Sequence, residues 1–489
     1  MVGGMSVKAM RKSLIMRGML LLHYLVMLLV FIACWMLFYR RQAMEGAFST
    51  NSIAVCAMYA VLLMMFGRVY GVYKVGLAHV SDLFYGQTLA NLLSLFITYV
   101  LVCVLARKLI NPLAGIGAAG VQALFCAGWT ISANRLYFSL HKPKRTVVIY
   151  RNDSDLHKLE EIRFFTDRWK VERRVQWAEE NVHDLPFGKD TAIGETSTGG
   201  ILKLMQIMEE YEAVFVSGVN ATLRNGIVKY CVDKGKACYF VPHTGDVITA
   251  GAEHIRSFSV PICRARRCRP TPEYLFIKRT MDITLSLAAI IIFSPFMAVT
   301  ALAIRSYDGG PVLYKQVRLT KEGKSFEILK FRSMRMDAEK DGVARLASEH
   351  DDRITPVGRV IRAIRFDELP QLFNIFRGDM SIVGPRPERP EIAEQYRKEL
   401  PAFDLRLQVK AGLTGYAQVY GRYNTEPQDK LKMDLMYINH AGVAEDVKLI
   451  LATVRTIFQR ESTHGVGEGQ VTASKWVNEA AGEKKDVSA

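Results

Sequence analysis

Apolar and polar positions sort this chain into three stretches before any motif is read. Four long apolar runs crowd its first part, at 14–38, 53–66, 83–105 and 113–131. The first, third and fourth have about the 20 residues a helix needs to cross a bilayer, and the second gains that length with 69–73. They predict a bundle of four transmembrane helices within 1–141. The fourth run carries Ala114, Gly115, Gly117, Ala118, Ala119 and Gly120, which predicts close helix–helix packing. No small-residue cleavage site follows the first run, so it reads as an anchor rather than a removable signal.

Between 142 and 270 the pattern changes. Short β-branched runs at 146–150, 212–219 and 237–241 read as buried strands, with helical patterns at 201–211 and 223–234 between them. Strands alternating with helices predict a small parallel α/β layer, Rossmann-like in outline. Arg151-Asn152-Asp153 follows the first strand where a dinucleotide site would place glycines, so this domain carries no dinucleotide fingerprint.

A fifth apolar run, 280–304, is interrupted at its midpoint by Ser294-Pro295. Pro295 cannot donate to the carbonyl of Ile291, and its ring crowds that group. Lys278 and Arg279 precede the run, and Arg305 and Lys315 follow it, so both ends read as cytoplasmic by the distribution of positive charge. Each arm reaches roughly 20 Å, short of the ~30 Å hydrocarbon core, as suits a segment that enters and turns back. On the run alone an ordinary kinked spanning helix is the favoured reading, because membrane helices tolerate proline.

Two amphipathic patterns follow. Val357, Val360, Ile361 and Ile364 form one apolar stripe with Arg359, Arg362 and Arg365 off it, a basic helix suited to the membrane interface. Leu369, Leu372, Phe373 and Phe376 repeat the spacing, and Gly378 ends the second helix. Asp367 then sits at a natural N-cap, with Glu368 and Pro370 in the first turn. From spacing alone, a capped helix start outweighs a catalytic pair. The last helical stretch, 447–458, has Lys448 and Arg455 beside an apolar face, and from 462 the chain reads as a disordered tail.

Composition narrows the classes. The chain has 489 residues, half of them hydrophobic, and a formal net charge of +16. No nucleic-acid module accompanies that charge, so it is assigned to anionic lipid and phosphorylated substrates. The eight cysteines form no Cys-x-x-Cys pair, which argues against zinc and fits a reducing compartment. Cys263 and Cys268 lie among arginines without an evident histidine partner. His350 with Asp351 and Asp352 reads as a solvated loop, and Tyr416, Tyr420 and Tyr423 read equally as stacking groups or as packing.

Ordered motifs from Tyr274 to about Arg460 add a resemblance. They are Lys278-Arg279 with Asp282, Ser294-Pro295, Gly310-Pro311-Val312, Lys330-Phe331-Arg332-Ser333-Met334 and Arg353-Ile354-Thr355. Arg362, Asp367-Glu368-Leu369-Pro370-Gln371-Leu372, Val383-Gly384-Pro385-Arg386-Pro387 and Gly412-Leu413-Thr414-Gly415 complete the set. This part of the chain resembles the bacterial sugar transferases known as monotopic phosphoglycosyl transferases. The four leading helices and the α/β layer resemble the large subgroup that starts exopolysaccharide, capsule or O-antigen repeat units. Ala411 departs from the proline that many members place there, and Tyr416-Ala417 replaces a bulkier pair.

The resemblance implies a mostly helical catalytic domain at 271–461, with a re-entrant membrane helix at 280–304 broken at Ser294 and Pro295. It implies transfer of a sugar 1-phosphate from a UDP-sugar to undecaprenyl phosphate, with release of UMP. Asp367 is then the nucleophile, Glu368 its partner in metal binding or proton transfer, and Mg2+ the cofactor. Arg362, Pro385, Arg386, Pro387, Lys278 and Arg279 are the substrate-binding candidates. The expected setting is the inner bacterial membrane, multi-pass, with the catalytic domain on the cytoplasmic face and a homodimer plausible. The alternative is a membrane-tethered, nucleotide-sensing regulator of polysaccharide synthesis in which Asp367-Glu368 only caps a helix.

Overall fold

The computed structural model of the protein describes residues 7–39, 50–76, 78–160, 168–178, 190–194, 198–255, 262–336, 353–421 and 425–457. His350 to Asp352, Tyr423 and the tail from 462 lie outside the described residues. The chain divides into two units, one ending at Val241 and one beginning at Pro242.

The first unit opens with four helices: α1 (Val7–Cys34, continued by a π turn, Trp35–Tyr39), α2 (Thr50–Val69), α3 (Val80–Ala106) and α4 (Leu113–Leu140). Met27, Phe31, Val55, Leu63, Val102 and Cys126 share one apolar core drawn from all four. A polar chain crosses that core. Tyr59 donates to Asn91 Oδ1 (2.7 Å), Asn91 Nδ2 to Gln122 Oε1 (3.0 Å), and Gln122 Nε2 to the Met27 carbonyl (2.8 Å). Burying these groups is tolerable because each finds a partner. The Gly/Ala-rich stretch of α4 packs only in part. Gly115 donates to the Tyr39 hydroxyl (2.7 Å) and Ala118 is buried, but Gly117 and Gly120 face open space.

The rest of the unit is β1 (Lys144–Tyr150), α5 (Asp153–Glu160), β2 (Trp169–Ala178), β3 (Asp190–Gly194), α6 (Thr198–Glu209), β4 (Ala213–Ser217), α7 (Ala221–Asp233) and β5 (Ala237–Phe240). The strands form one parallel sheet in the order β3-β2-β1-β4-β5, with Thr146 opposite Ala213 and Tyr150 opposite Ser217. The doubly wound α/β layer expected from the alternation is present. Val147, Ile149, Val214 and Val216 face Leu204, Met208, Ile227 and Cys231 across one side of it.

The second unit starts earlier than the 271 boundary expected from composition. Here α8 (Thr244–Ala250) and a hairpin of β6 (Glu253–Ile255) and β7 (Ile262–Arg264) precede the long helix α9 (Pro272–Asp308). The reason is packing: Val247 shares a core with Leu431, Leu435 and Ile438, and Asn439 Nδ2 donates to the Val247 carbonyl (2.6 Å). Beyond α9 come the hairpin β8 (Leu313–Leu319) and β9 (Ser325–Phe331), then α10 (Pro356–Ala363) and α11 (Gln371–Arg377). The paired β10 (Ser381–Val383) and β11 (Gly412–Thr414) enclose α12 (Pro390–Glu399) and a 3-10 turn, Pro401–Gln408. Helices α13 (Tyr416–Val419), α14 (Pro427–Asn439) and α15 (Val443–Ile457) close the unit.

Helix α9 runs unbroken through Ser294-Pro295, so the expected break is instead a proline inside a continuous helix. Ser294 Oγ donates to the Ile291 carbonyl (2.8 Å), the acceptor that Pro295 leaves without a backbone donor. Both halves of α9 pack on the same unit. Before Pro295, Asp282 accepts from Ser381 Oγ (3.0 Å) and the Ile382 amide (2.9 Å), and Ala289 meets the core of Leu372 and Ile375. After it, Met297 and Ile304 join Phe331 and Ile361. Its outer face leaves Ile291, Ile292, Val299 and Leu302 exposed. Among the described residues five helices, α1 to α4 and α9, are long and apolar enough to cross a membrane.

Candidate active site

The acid pair is placed by two helices that meet at a strained junction. Thr355 caps α10, its hydroxyl accepting the Gly358 amide (2.9 Å), and Pro356 occupies the first turn. A Cβ at Gly358 would collide with the Ser333 carbonyl, so only glycine lets α10 lie this close to the end of β9. Ile361 turns into the core, while Val360 and Ile364 stay exposed. The chain then passes through Arg365 in a left-handed conformation (φ 56°). Such a backbone costs of order 1–3 kcal/mol in a non-glycine residue and gathers at functional sites.

A 3-10 turn, Phe366–Glu368, follows, and α11 begins only after Pro370. The expectation that Asp367 caps this helix is therefore corrected. The cap residue is Pro370, with no side-chain cap bond, because two residues of turn intervene. The acid pair is free for other work.

Glu368 is drawn into a cationic cradle. Its Oε1 lies 3.3 Å from Lys330 Nζ on β9 and 3.1 Å from Arg386 Nη2. Burial alone would raise this carboxyl, but Arg386, Lys330 and Arg365 outweigh it and hold Glu368 well below the usual carboxylate range. Asp367 behaves oppositely. Burial, then the charge of Glu368, push it up to about 6, against the pull of Lys330, Arg362 and Arg386. Two adjacent carboxyls with opposed environments are what divides roles within an acid pair. Burial also pulls Lys330 below its ordinary range, opposed by Glu368.

The other expected residues fall into two groups. Arg386 reaches the acids from the loop of Pro385, Arg386 and Pro387. Arg362 is close enough for its charge to stabilise the Asp367 carboxylate, and its Nη1 is buried without a hydrogen-bond partner among the described residues. Such an orphaned donor matches a missing anion. Lys278 and Arg279 instead bind scaffold. Lys278 Nζ meets Asp446 (2.7 Å) and Tyr437 OH (3.2 Å), and Arg279 donates to the Ile375 and Phe376 carbonyls (2.7 Å each). Ser294 and Pro295 stand in the middle of α9.

Lys330 has no local signal of a role in the sequence; its neighbours Leu329 and Phe331 are buried, and the tertiary fold carries it to Glu368. Cys263 does have a histidine beside it, which spacing along the chain does not announce. His254 lies directly across the β6–β7 pair, with Nδ1 3.4 Å from Sγ. Tyr416 settles as packing, donating to Glu445 (2.6 Å) with its ring edge-on to Tyr437. Ala411 donates its amide to the Thr320 hydroxyl (3.1 Å), a bond that proline cannot make.

Among the described residues no group of three His, Cys, Asp or Glu side chains gathers to hold a metal. Two carboxylates fit one ion all the same: Mg2+ is commonly held by one or two carboxylates with phosphates and water completing the shell. What the cluster can do chemically follows. It gathers a carboxyl of raised pKa, a carboxylate held low by its cations, and the side chains of Lys330, Arg362 and Arg386, which can pair with phosphate oxygens.

A family description, bacterial sugar transferase, matches residues 273–460, which hold every one of these side chains. The chain is 44% identical over 191 residues to the UDP-N-acetylgalactosamine-undecaprenyl-phosphate N-acetylgalactosaminephosphotransferase of Aeromonas hydrophila, covering 38% of this chain and 45% of the relative. It is 40% identical over 183 residues to the UDP-glucose:undecaprenyl-phosphate glucose-1-phosphate transferase of Escherichia coli, covering 36% of this chain and 39% of that one. The UDP-glucose:undecaprenyl-phosphate glucose-1-phosphate transferase of Caulobacter vibrioides is 38% identical over 192 residues, covering 38% of this chain and 72% of the relative. The matches to the first two relatives thus span less than half of their length.

Proposed function

Because the chain belongs to the bacterial sugar transferase family, we propose that it moves a sugar 1-phosphate from a UDP-sugar to undecaprenyl phosphate. The observation that carries this reading is the acid pair itself, set on a strained turn and ringed by Lys330, Arg362 and Arg386. An Asp367 oxygen attacks the sugar-bearing phosphorus of the donor. The bond from that phosphorus to the UMP oxygen breaks, and UMP leaves. A phosphate oxygen of undecaprenyl phosphate then attacks the same phosphorus, the bond to Asp367 breaks, and undecaprenyl-diphospho-sugar departs. Two displacements let one site serve a soluble donor and a lipid acceptor in turn.

A carboxylate approaching a diphosphate meets like charge at each step. Arg386 is placed to take phosphate oxygens, and Glu368 keeps that arginine and Lys330 aimed at the centre. The orphaned Nη1 of Arg362 supports a second phosphate contact, assigned to the lipid acceptor. Mg2+, held by Asp367 and Glu368 oxygens, would neutralise the diphosphate charge.

The proposed membrane placement draws its support from α9. If straight, its 37 residues extend about 55 Å, yet both halves lie on one unit. Contacts of both halves with one unit hold α9 against that body along its length, which supports reading it as a segment kept at one face of the membrane rather than as a free span. With α1 to α4 read as four spans and basic residues flanking the apolar run of α9, the proposal puts the reaction at the cytoplasmic face of the inner membrane, as the first membrane step of repeat-unit assembly.

A UMP-release screen over UDP-glucose, UDP-galactose and their N-acetylated forms, with undecaprenyl phosphate in detergent, tests the activity. Release from at least one donor is expected, and none from any would remove the reading. Cysteine labelling on either side of α9 tests topology: both ends should react from the same face.

A further inference from the structure

The loop that carries Arg386 has every carbonyl taken. The Pro385 carbonyl accepts the Gly412 amide (2.9 Å), the Arg386 carbonyl accepts Arg406 Nη2 (2.8 Å), the Pro387 carbonyl accepts Arg318 Nη1 (3.2 Å), and the Glu388 carbonyl accepts the Leu319 amide (2.9 Å). Donors come from β11, from the 3-10 turn Pro401–Gln408 and from β8, so three separate elements grip four consecutive residues. Prolines 385 and 387 have fixed φ and no N–H, and the loop cannot build such a ladder from its own groups. Upstream, Gly384 is itself bound to Thr414 through its amide (2.8 Å), and a Cβ there would strike the Lys410 carbonyl.

The two side-chain donors are unusual in their burial. Arg406 is 3% exposed, and its Nε (2.9 Å) and Nη2 (2.8 Å) both point at Asp434 Oδ2, itself 1% exposed. Arg318 is largely buried, with Glu388 between the two arginines at 4.0 and 3.7 Å. Burying charges to hold one carbonyl each is a poor way to stabilise a fold, since apolar side chains of similar size do that as well or better. It is an effective way to fix where a neighbouring side chain starts. The Arg386 side chain is nearly half exposed and would otherwise sweep a wide volume before meeting Glu368.

We propose that Arg406, anchored by Asp434, and Arg318 are positioning residues. They clamp the Pro385–Glu388 backbone so that the Arg386 guanidinium is aimed at the donor diphosphate before it binds. This rests on the transfer reading above. The clamp acts on donor binding through Arg386 alone, which a merely structural role does not demand.

The test uses the full-length protein and steady-state UMP release with the most active donor of the panel. Three folded variants, checked by melting temperature, are Arg406→Lys, Arg318→Met and the paired Arg406→Met/Asp434→Leu, which leaves no buried charge alone. Each should raise KM for the UDP-sugar about tenfold with a smaller change in kcat. Introduced into Arg386→Ala, the same changes should add almost nothing, because the side chain they aim is gone. Losses that multiply in the Arg386→Ala background, or an unchanged KM in folded variants, overturn the clamp. Absence of UMP release by the unmodified protein overturns the transfer reading instead. The clamp is then judged by amide hydrogen exchange: faster exchange over residues 383–389 in Arg406→Lys supports it, and unchanged exchange overturns it.

Discussion

In the parallel sheet, β1 buries every residue from Thr146 to Tyr150 and β4 every residue from Ala213 to Ser217. The segment holding Asp367 and Glu368 is a three-residue turn entered through a left-handed arginine. The charges differ as much as the backbones. At the ends of β1 and β4, Asp153 and Asp155 fill the first turn of α5, and the space above Gly218 is taken by the Asp155 carboxylate. Acids there satisfy the helix dipole and repel phosphate. In the second unit the acids are the centre and cations surround them. The end of the sheet that commonly receives nucleotides carries acids here, and the proposed reaction centre sits on irregular backbone in the other unit.

That contrast can be broken by mutation. Asp367→Asn should abolish UMP release, a fall of at least about 10³-fold, while Asp153→Asn changes it less than about threefold. Comparable losses at both would mean the α/β layer holds a reacting group. Glu368→Gln and Arg386→Ala should each cost about 10²-fold, since each removes half of one charge-assisted contact at the reacting phosphate.

Stability should move in opposite directions within the acid pair, measured by thermal melts with chelator present. Asp367 in the fold titrates at about 6, above its unfolded value near 3.9. A raised carboxyl contributes its stability below the unfolded pKa and loses it as pH rises through the folded one. Asp367→Asn should therefore gain about 1–2 kcal/mol on the parent between pH 4 and pH 7.5. Glu368 is held low, so it contributes stability above its unfolded pKa, and Glu368→Gln should melt earlier at neutral pH. Equal shifts in both variants would contradict the opposed environments.

The smallest effect contrasts two glycines. Gly226 of α7 faces open space, and Gly226→Ala should stabilise by about 0.5–1 kcal/mol. Gly384→Ala, against the Lys410 carbonyl, should instead lower both melting temperature and donor affinity.

Much of the regular structure was legible in the chain. The apolar runs marked α1 to α4 and α9, and β-branched runs marked β1, β4 and β5, because these elements bury continuous faces that periodicity reports. What escaped depends on long-range contact. Residues 242–270 belong with the second unit because Val247 packs on α14, which no local pattern announces. Asp367 looked like a cap because Asp-Glu-x-Pro is a good helix start, but the left-handed Arg365 set the turn two residues early. Lys278 and Arg279 flanked an apolar run as substrate or headgroup cations would, and the fold uses them to tie α9 to Asp446 and to the end of α11. The Arg406–Asp434 pair, 28 residues apart, gave no signal at all.

The most direct measurement is rapid-quench mass spectrometry of the full-length protein given its UDP-sugar and Mg2+ without lipid acceptor. A sugar-phosphate mass on the peptide containing Asp367, formed together with an equal amount of UMP and discharged when undecaprenyl phosphate is added, is the predicted result. UMP appearing only once the acceptor is present, with Asp367 unmodified at every quench time, would contradict it.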